Sequence, residues 1–347
     1  MSDYTENYHD LGLHRVIEPE FALPQAAQTL DVSGPAAPNE VEIAVQTLNV
    51  DSASFHQIIG EVGRDEEKVG QRIAEIVGQR GKMQNPVTGS GGMLLGEVIS
   101  VGEHYEGPVP LSPGDMVASL VSLTLTPLRL ERIKKVHLDA DQVDVEATAY
   151  LWPSSPIVVM PKDLEPRLAL SSLDVCGAPA QTMRLVQGAK DVLILGMGKS
   201  GMLCAAAARD ALGKDVRILA IDLHDNNMTT LQEAGIIDDF RTGNAKNPVQ
   251  ILSLVEEMTG GKLCELVVNT CNIEGTEMSA ILPCEDRGKV YFFNMATSFA
   301  RAALGCEGVG KDVDLYIGNG YARDHAEITL DLVRRYDVVR QQIERLM

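Results

Sequence analysis

The sequence predicts an α/β chain in two domains. One is a mainly β domain over residues 1–165, completed by the C-terminal segment 320–347. The other is a doubly wound parallel-sheet domain over 166–319. Three observations predict this. Residues 191–201 read DVLILGMGKSG, a short apolar run followed by glycines at 196, 198 and 201. From about Pro166 onward, helix-prone and apolar segments alternate, as in a parallel sheet. Before that point, polar/apolar alternation and short apolar runs between turn residues prevail, as in half-buried strands.

Length and composition bound the reading. The 347 residues suffice for two domains with ample core, and 45% are hydrophobic, so the chain is globular. The net charge of −19 opposes binding to nucleic acid or to anionic membranes. The six cysteines are scattered without a C-x-x-C pair, which suits free thiols in a reducing compartment. With no apolar signal core at the start and no apolar run long enough for a bilayer, a cytoplasmic location is expected.

Taken in order, residues 1–30 read as extended chain and turns. Residues 40–47 (EVEIAVQT) alternate like a half-buried strand. Residues 61–81 are polar and helix-prone. Residues 91–101 and 116–125 read as strands flanking a Pro113-Gly114-Asp115 turn, and 136–160 as further short strands. Helices are expected over 167–173 and 180–187, then the strand 191–195 and a helix over 202–212. Strand 216–221, helix 227–235, helix 249–259, strand 266–270, helix 276–282 and strand 289–293 follow. Apolar residues at helical spacing over 326–346 predict one closing helix.

Strand, G-x-G-x-x-G turn and helix form the first unit of a Rossmann dinucleotide-binding fold. Gly196 serves the turn, Gly198 the approach of a pyrophosphate, and Gly201 close helix–strand packing. Lys199 and Ser200 lie between them at the helix N-terminus, where free N–H groups and the helix dipole favour phosphate. Asp222 ends the next apolar run, 21 positions beyond Gly201, where a ribose-binding carboxylate is expected. Such an acid favours NAD over NADP; the nearby His224 allows weak tolerance of NADP.

Two further motifs span the first half. Residues 91–102 (GGMLLGEVISVG) resemble the G-H-E-x-x-G-x-V-x-x-V-G of the medium-chain dehydrogenase/reductase family, and 113–117 (PGDMV) its P-G-D-x-V. With the nucleotide motif, this resemblance covers nearly the whole chain. It implies a GroES-like domain joined to a Rossmann domain. Zinc members carry a cysteine early, the histidine of G-H-E, and a later cysteine or aspartate. Here Gly92 stands for that histidine, Met93 for the glutamate, and Leu48–Ser52 contain no cysteine. Only Cys176 matches a ligand, too few for a catalytic zinc, so no metal is expected; Cys176 reads as a small buried residue. Glu97 reads as structural.

Residues 12–25 (GLHRVIEPEFALPQ), 85–98 (NPVTGSGGMLLGEV) and 308–327 (GVGKDVDLYIGNGYARDHAE) resemble a zinc-lacking, lysine-fermenting branch of that family. The resemblance implies NAD-linked oxidative deamination of a small diamino acid, 3,5-diaminohexanoate, to 5-amino-3-oxohexanoate and ammonia. A homo-oligomer, most simply a dimer, is also expected. The nicotinamide is expected in the crevice beyond the strand ends. Thr270-Cys271-Asn272 and Asn294-Met295-Ala296 are candidate lining loops, or ordinary polar loops. Asp51 is the candidate base or amine holder, assisted by Ser54 or His56; alternatively Asp51 is a turn or cap residue. His325 and Glu327 either fold back to the crevice or begin a surface helix. A quinone/enone reductase of the same fold and a non-enzymatic nucleotide-binding regulator stand as alternatives. A requirement for ammonia separates the first from a deaminase, and hydride transfer separates the second from both enzymes.

Overall fold

The computed structural model describes residues 8–225 and 227–346. Among the described residues the chain divides into two compact units, one up to Asp174 and the other Val175–Arg345.

In the first unit, β1 (Val16–Glu18) and β2 (Thr29–Leu30) form a small antiparallel pair. A six-stranded antiparallel sheet follows. Its members are β3 (Val41–Val50), β4 (Gly92–Val101), β5 (Met116–Ser119), β6 (Leu128–His137), β7 (Gln142–Leu151) and β8 (Ile157–Val159), in the order β6-β7-β3-β4-β5-β8. The polar/apolar alternation of β3 puts Val41, Ile43 and Val45 into the core while Glu42 and Ala44 are half-buried. Between β3 and β4 run α1 (Ser52–Val62) and α2 (Glu66–Arg80). The second starts on Asp65, whose side chain accepts from the N–H groups of Glu67 and Lys68, and buries Val69, Ile73, Ile76 and Val77. The helix-prone stretch 61–81 is thus real, but α1 before it was not foreseen. The stretch 116–125 is a strand only to Ser119, and β6 and β7 are long, ten residues each.

The first unit closes with α3 (Pro166–Leu173), started by proline and capped by Glu165. Leu168 to Leu173 are all buried, and Arg167 reaches Asp144 of β7 at 3.2 Å. The boundary therefore lies after this helix, at 174, rather than at 165.

The second unit begins with α4 (Gly177–Leu185). It continues through β9 (Asp191–Leu195), α5 (Lys199–Leu212), β10 (Arg217–Asp222), α6 (Met228–Glu233), β11 (Asp239–Thr242), α7 (Pro248–Thr259) and β12 (Cys264–Asn269). Then come α8 (Glu277–Ile281), β13 (Cys284–Phe292), α9 (Phe299–Val309), β14 (Asp314–Ile317), α10 (His325–Arg335) and α11 (Asp337–Arg345). The strands are all parallel, ordered β11-β10-β9-β12-β13-β14. Order reverses between β9 and β12, the switch point where open α/β sheets bind ligands. The run Gly201–Ala208 of α5 is buried throughout, and Gly201, Cys204 and Ala205 to Ala208 within it are small enough for close packing.

The C-terminal segment differs from expectation twice. It packs within the second unit, with α10 on α4 and α5 and α11 on α5 and α6, instead of completing the first. Arg335 and Tyr336 both bond Asp210 of α5. It is also two helices, because Tyr336 leaves helical geometry (φ −108°, ψ 81°) where the apolar spacing runs on. Among the described residues no helix is long and apolar enough to cross a membrane.

Candidate functional site

At the switch point two of the three glycines are held by different constraints, and the third borders open space. Gly196 follows β9 at φ +86°, and a Cβ there would stand 3.0 Å from Thr270 Oγ1 and Cys271 Sγ. A Cβ on Gly201 would lie 1.9 Å from the Gly196 carbonyl oxygen, so α5 can approach the turn only with glycine. Gly198, the exposed N-cap of α5, has nothing within 4 Å of its Cβ position and no side-chain cap. Open space thus stands before a helix N-terminus, with Lys199 and Ser200 half-buried behind it.

Asp222 ends β10 beside this turn. Its Oδ2 accepts from Met197 N–H at 2.5 Å and its Oδ1 from Leu223 N–H at 2.6 Å. Asn227, which the sequence offered only as the start of a helix, donates to the Met197 carbonyl at 2.7 Å and pins the turn from the other side. Leu223 and His224 are exposed beyond the carboxylate. These residues fit a dinucleotide: space for the pyrophosphate, a helix N-terminus to hold it, and a carboxylate for ribose hydroxyls.

The candidate lining loops converge here. Thr270 Oγ1 donates toward the carbonyls of Leu195 and Gly196, at 3.1 and 2.8 Å. Asn269 Oδ1 accepts from Cys271 N–H, and burial pushes the Cys271 thiol up to about 12, so it stays protonated. Asn294 Nδ2 donates to the Asn269 carbonyl, while its Oδ1 accepts from Ala296 N–H and Thr297 Oγ1. Met295 is 62% exposed beside it. Asn319 and Tyr321, in the loop after β14, are held by Gln181 Nε2. His325 is buried at the head of α10 with its ring 4.9 Å from that of Tyr321, and desolvation lowers its pKa; Glu327 is exposed.

In the first unit, Asp51 caps α1. Its Oδ1 accepts from Ala53 N–H at 3.0 Å and from Ser90 Oγ at 2.9 Å. Ser54 is fully buried, with its Oγ 2.6 Å from both Ser90 Oγ and Thr88 Oγ1. Asp51 and Ser54 therefore belong to one hydrogen-bonded group, and Asp51 is a cap as well. His56 stands apart: it is exposed and its Nδ1 bonds the Ser52 carbonyl one turn back, because α1 turns it outward. Thr88 and Ser90 were missed as site residues. They lie in the 85–90 loop, closed by Asn85 N–H to the Ser90 carbonyl and by Val87 N–H to Asn85 Oδ1. The quoted NPVTGSGG segment was the available signal.

The position of the family's zinc-binding histidine does not suit a side chain. Gly92 has φ +115°, and a Cβ there would sit 1.9 Å from the Asn49 carbonyl oxygen. Cys176 is 2% exposed at the start of α4. The residues present do not fit a catalytic zinc, which needs three protein ligands.

Residues 14–161 match the family described as L-erythro-3,5-diaminohexanoate dehydrogenase N-terminal domain. The chain is 48% identical over 336 residues to the L-erythro-3,5-diaminohexanoate dehydrogenase of Acetoanaerobium sticklandii, covering 96% of this chain and 98% of that protein. It is 46% identical over 331 residues to the enzyme of the same name from Fusobacterium nucleatum subsp. nucleatum, covering 95% and 96%. Among solved structures, the CurK enoyl reductase superposes with a TM-score of 0.54 at 18% identity, over 92% of this chain and 82% of that one. At that identity the likeness shows the fold alone, Rossmann sheet with GroES-like partner.

Proposed function

Because the chain belongs to the L-erythro-3,5-diaminohexanoate dehydrogenase family, we propose that it deaminates 3,5-diaminohexanoate oxidatively with NAD, yielding 5-amino-3-oxohexanoate and ammonia in lysine fermentation. Identity near one half over almost the whole of each relative carries this reading, and the switch-point turn with Asp222 supports it. The chain is an oxidoreductase with a nicotinamide cofactor.

The chemistry needs few protein groups. An ammonium has no lone pair to assist hydride loss, so the substrate amine must first give up a proton. Asp51 is the group assigned to hold the amine and take that proton. The Gly196–Gly201 turn, with Thr270, Cys271, Asn294 and Met295, would hold NAD, which when bound would supply the hydride acceptor. The iminium left on the substrate adds water and releases ammonia. Reduction of NAD by a panel of β-amino acids tests this. Turnover should need the second amine and should rise with pH toward the amine pKa, about 10 for an alkyl ammonium. Oxidation of NADH by quinones or enones, with no response to β-amino acids, would place the protein among the reductases instead.

Preference for NAD follows from Asp222, whose carboxylate would repel a 2′-phosphate; Leu223 and His224 supply no arginine clamp, and His224 leaves room for slight use of NADP. Asp222→Ser should cut NAD affinity by about 10–100-fold, the worth of hydrogen bonds to a charged group, and raise NADP use relative to NAD. Steady-state kinetics with both cofactors check this; better native use of NADP would overturn the assignment.

Gly92 makes the enzyme metal-independent in this reading. Activity should survive exhaustive chelation; tightly bound stoichiometric zinc whose loss abolished turnover would contradict it. A homodimer is supported by α9, which buries only Ala302 and exposes Phe299, Leu304 and Val309, and by the open edge at β14, where Ile317 is 65% exposed. A cytoplasmic location suits the six free cysteines.

A further inference from the structure

Three hydroxyl groups connect Asp51 to the surface of the first unit. Ser90 Oγ lies 2.9 Å from Asp51 Oδ1, Ser54 Oγ 2.6 Å from Ser90 Oγ, and Thr88 Oγ1 2.6 Å from Ser54 Oγ. Ser54 is 0% exposed and Ser90 7% exposed. Thr88 is half-buried in a loop whose neighbours Val87 and Gly89 are exposed. A carboxylate only accepts, so while Asp51 is ionised Ser90 must donate to it. Ser90 then accepts from Ser54, and Ser54 from Thr88. In the two outer pairs either oxygen has the geometry to donate, so the chain supports both polarities.

We propose that this chain is a proton relay that carries the proton Asp51 takes from the substrate ammonium out to solvent, with Ser90 as its obligatory link. It rests on the assignment of Asp51 to the amine. When Asp51 is protonated the hydroxyls turn outward. The Asp51 O–H proton then passes to Ser90 Oγ, the Ser90 proton to Ser54 Oγ, the Ser54 proton to Thr88 Oγ1, and the Thr88 proton to water. One O–H bond breaks and one forms at each oxygen. The net change is one proton moved from substrate to bulk, with no redox partner required. Ser90, Ser54 and Thr88 act through Asp51 and are positioning residues. A relay of this kind suits a reaction that gains from the neutral amine and must clear a proton on each turnover.

The geometry ranks the links. Ser90 alone of the three hydroxyls touches Asp51. Ser54 can be bypassed, because Thr88 Oγ1 also lies 3.1 Å from Ser90 Oγ. A purely structural role would rank them by burial, with Ser54 above Ser90. Ser90→Ala, Ser54→Ala and Asp51→Asn should therefore be compared in the full-length enzyme with 3,5-diaminohexanoate and NAD. The readouts are kcat, KM, NADH titration and the response to imidazole buffer, which can accept the stranded proton directly. Ser90→Ala should lose on the order of 10- to 100-fold in kcat with KM and NADH binding little changed, and imidazole should restore turnover in proportion to its concentration. Ser54→Ala should lose less. Normal turnover in Ser90→Ala beside a crippled Asp51→Asn would overturn the relay while keeping Asp51 on the amine. A Ser54→Ala loss exceeding that of Ser90→Ala, or a loss that imidazole does not relieve, would also overturn it. Unchanged turnover in Asp51→Asn would remove the underlying assignment and the relay with it.

Discussion

Asp51→Asn should lower kcat for the diamino acid by about 10²–10⁴-fold, the contribution typical of a positioned acid–base group, while NADH binding stays largely intact. The substitution separates chemistry from folding. Asp51 caps α1 through Ala53 N–H, and asparagine caps helices about as well. Its amide carbonyl can still accept from Ser90 Oγ, so the local geometry survives. What is lost is the negative charge that holds an ammonium and the basic oxygen that takes its proton. Steady-state kinetics with a fluorescence titration of NADH check this. Unchanged kinetics would show that capping is the whole role of Asp51.

Glu40→Ala should destabilise the protein by about 3–5 kcal/mol, the cost of leaving one partner of a buried ion pair behind. For a unit of this size that is a fall in Tm on the order of 10 °C. Glu40 is 0% exposed. Its Oε2 accepts from Arg15 Nη2 at 2.6 Å and from Ala37 N–H, and its Oε1 meets Arg15 Nε and His14 Nε2 at 2.9 and 2.8 Å. Arg15 lies over the Tyr150 ring at 4.1 Å and also donates to the carbonyls of Ser33 and Pro35. Removing the carboxylate strands a buried guanidinium that ties the N-terminal segment to the sheet. Burial alone would raise the carboxyl's pKa, but the bonds from Arg15, His14 and Ala37 overcome it and bring it down to about 2. A carboxylate lowered from 4.5 contributes stability that is fully present above 4.5 and is lost as pH falls through about 2. Melting curves from pH 2 to 7 should show the gap between parent and variant closing only at the acid end. A variant as stable as the parent at neutral pH would contradict the structural role given to this pair.

How much of this was legible depended on how tightly geometry restricts the residue. The turn at Gly196, Gly198 and Gly201 was readable because the spacing is set by two positions that geometry reserves for glycine: Gly196 by its positive φ and Gly201 by the approach of the Gly196 carbonyl. Asp222 was readable because it closes the apolar run 216–221 at the distance from Gly201 where a ribose-binding carboxylate is expected. The strands β3, β4 and β9 announced themselves by alternation or a continuous apolar run. By contrast α9 buries only Ala302, so it carries no amphipathic period, and β14 is a four-residue edge strand with partly exposed side chains. The break at Tyr336 was not readable because the apolar spacing continues through it, and the hydroxyl of that residue bonds Asp210 of α5, far away in sequence. His56 shows the limit of reading by position: it lies five residues after Asp51, and the helix between them turns it away from the Asp51–Ser90–Ser54 group. Thr88 and Ser90 reach that group from a loop more than thirty residues away in sequence, where no periodicity speaks for them.

The central claim, that this chain is a deaminating dehydrogenase, is tested most directly in reverse. Purified protein should be mixed with 5-amino-3-oxohexanoate and NADH, and NADH oxidation followed with and without ammonia. The expected result is no oxidation until ammonia is added, then a rate that saturates with ammonia and yields 3,5-diaminohexanoate. Oxidation of NADH by the keto acid at the same rate without ammonia would contradict the claim.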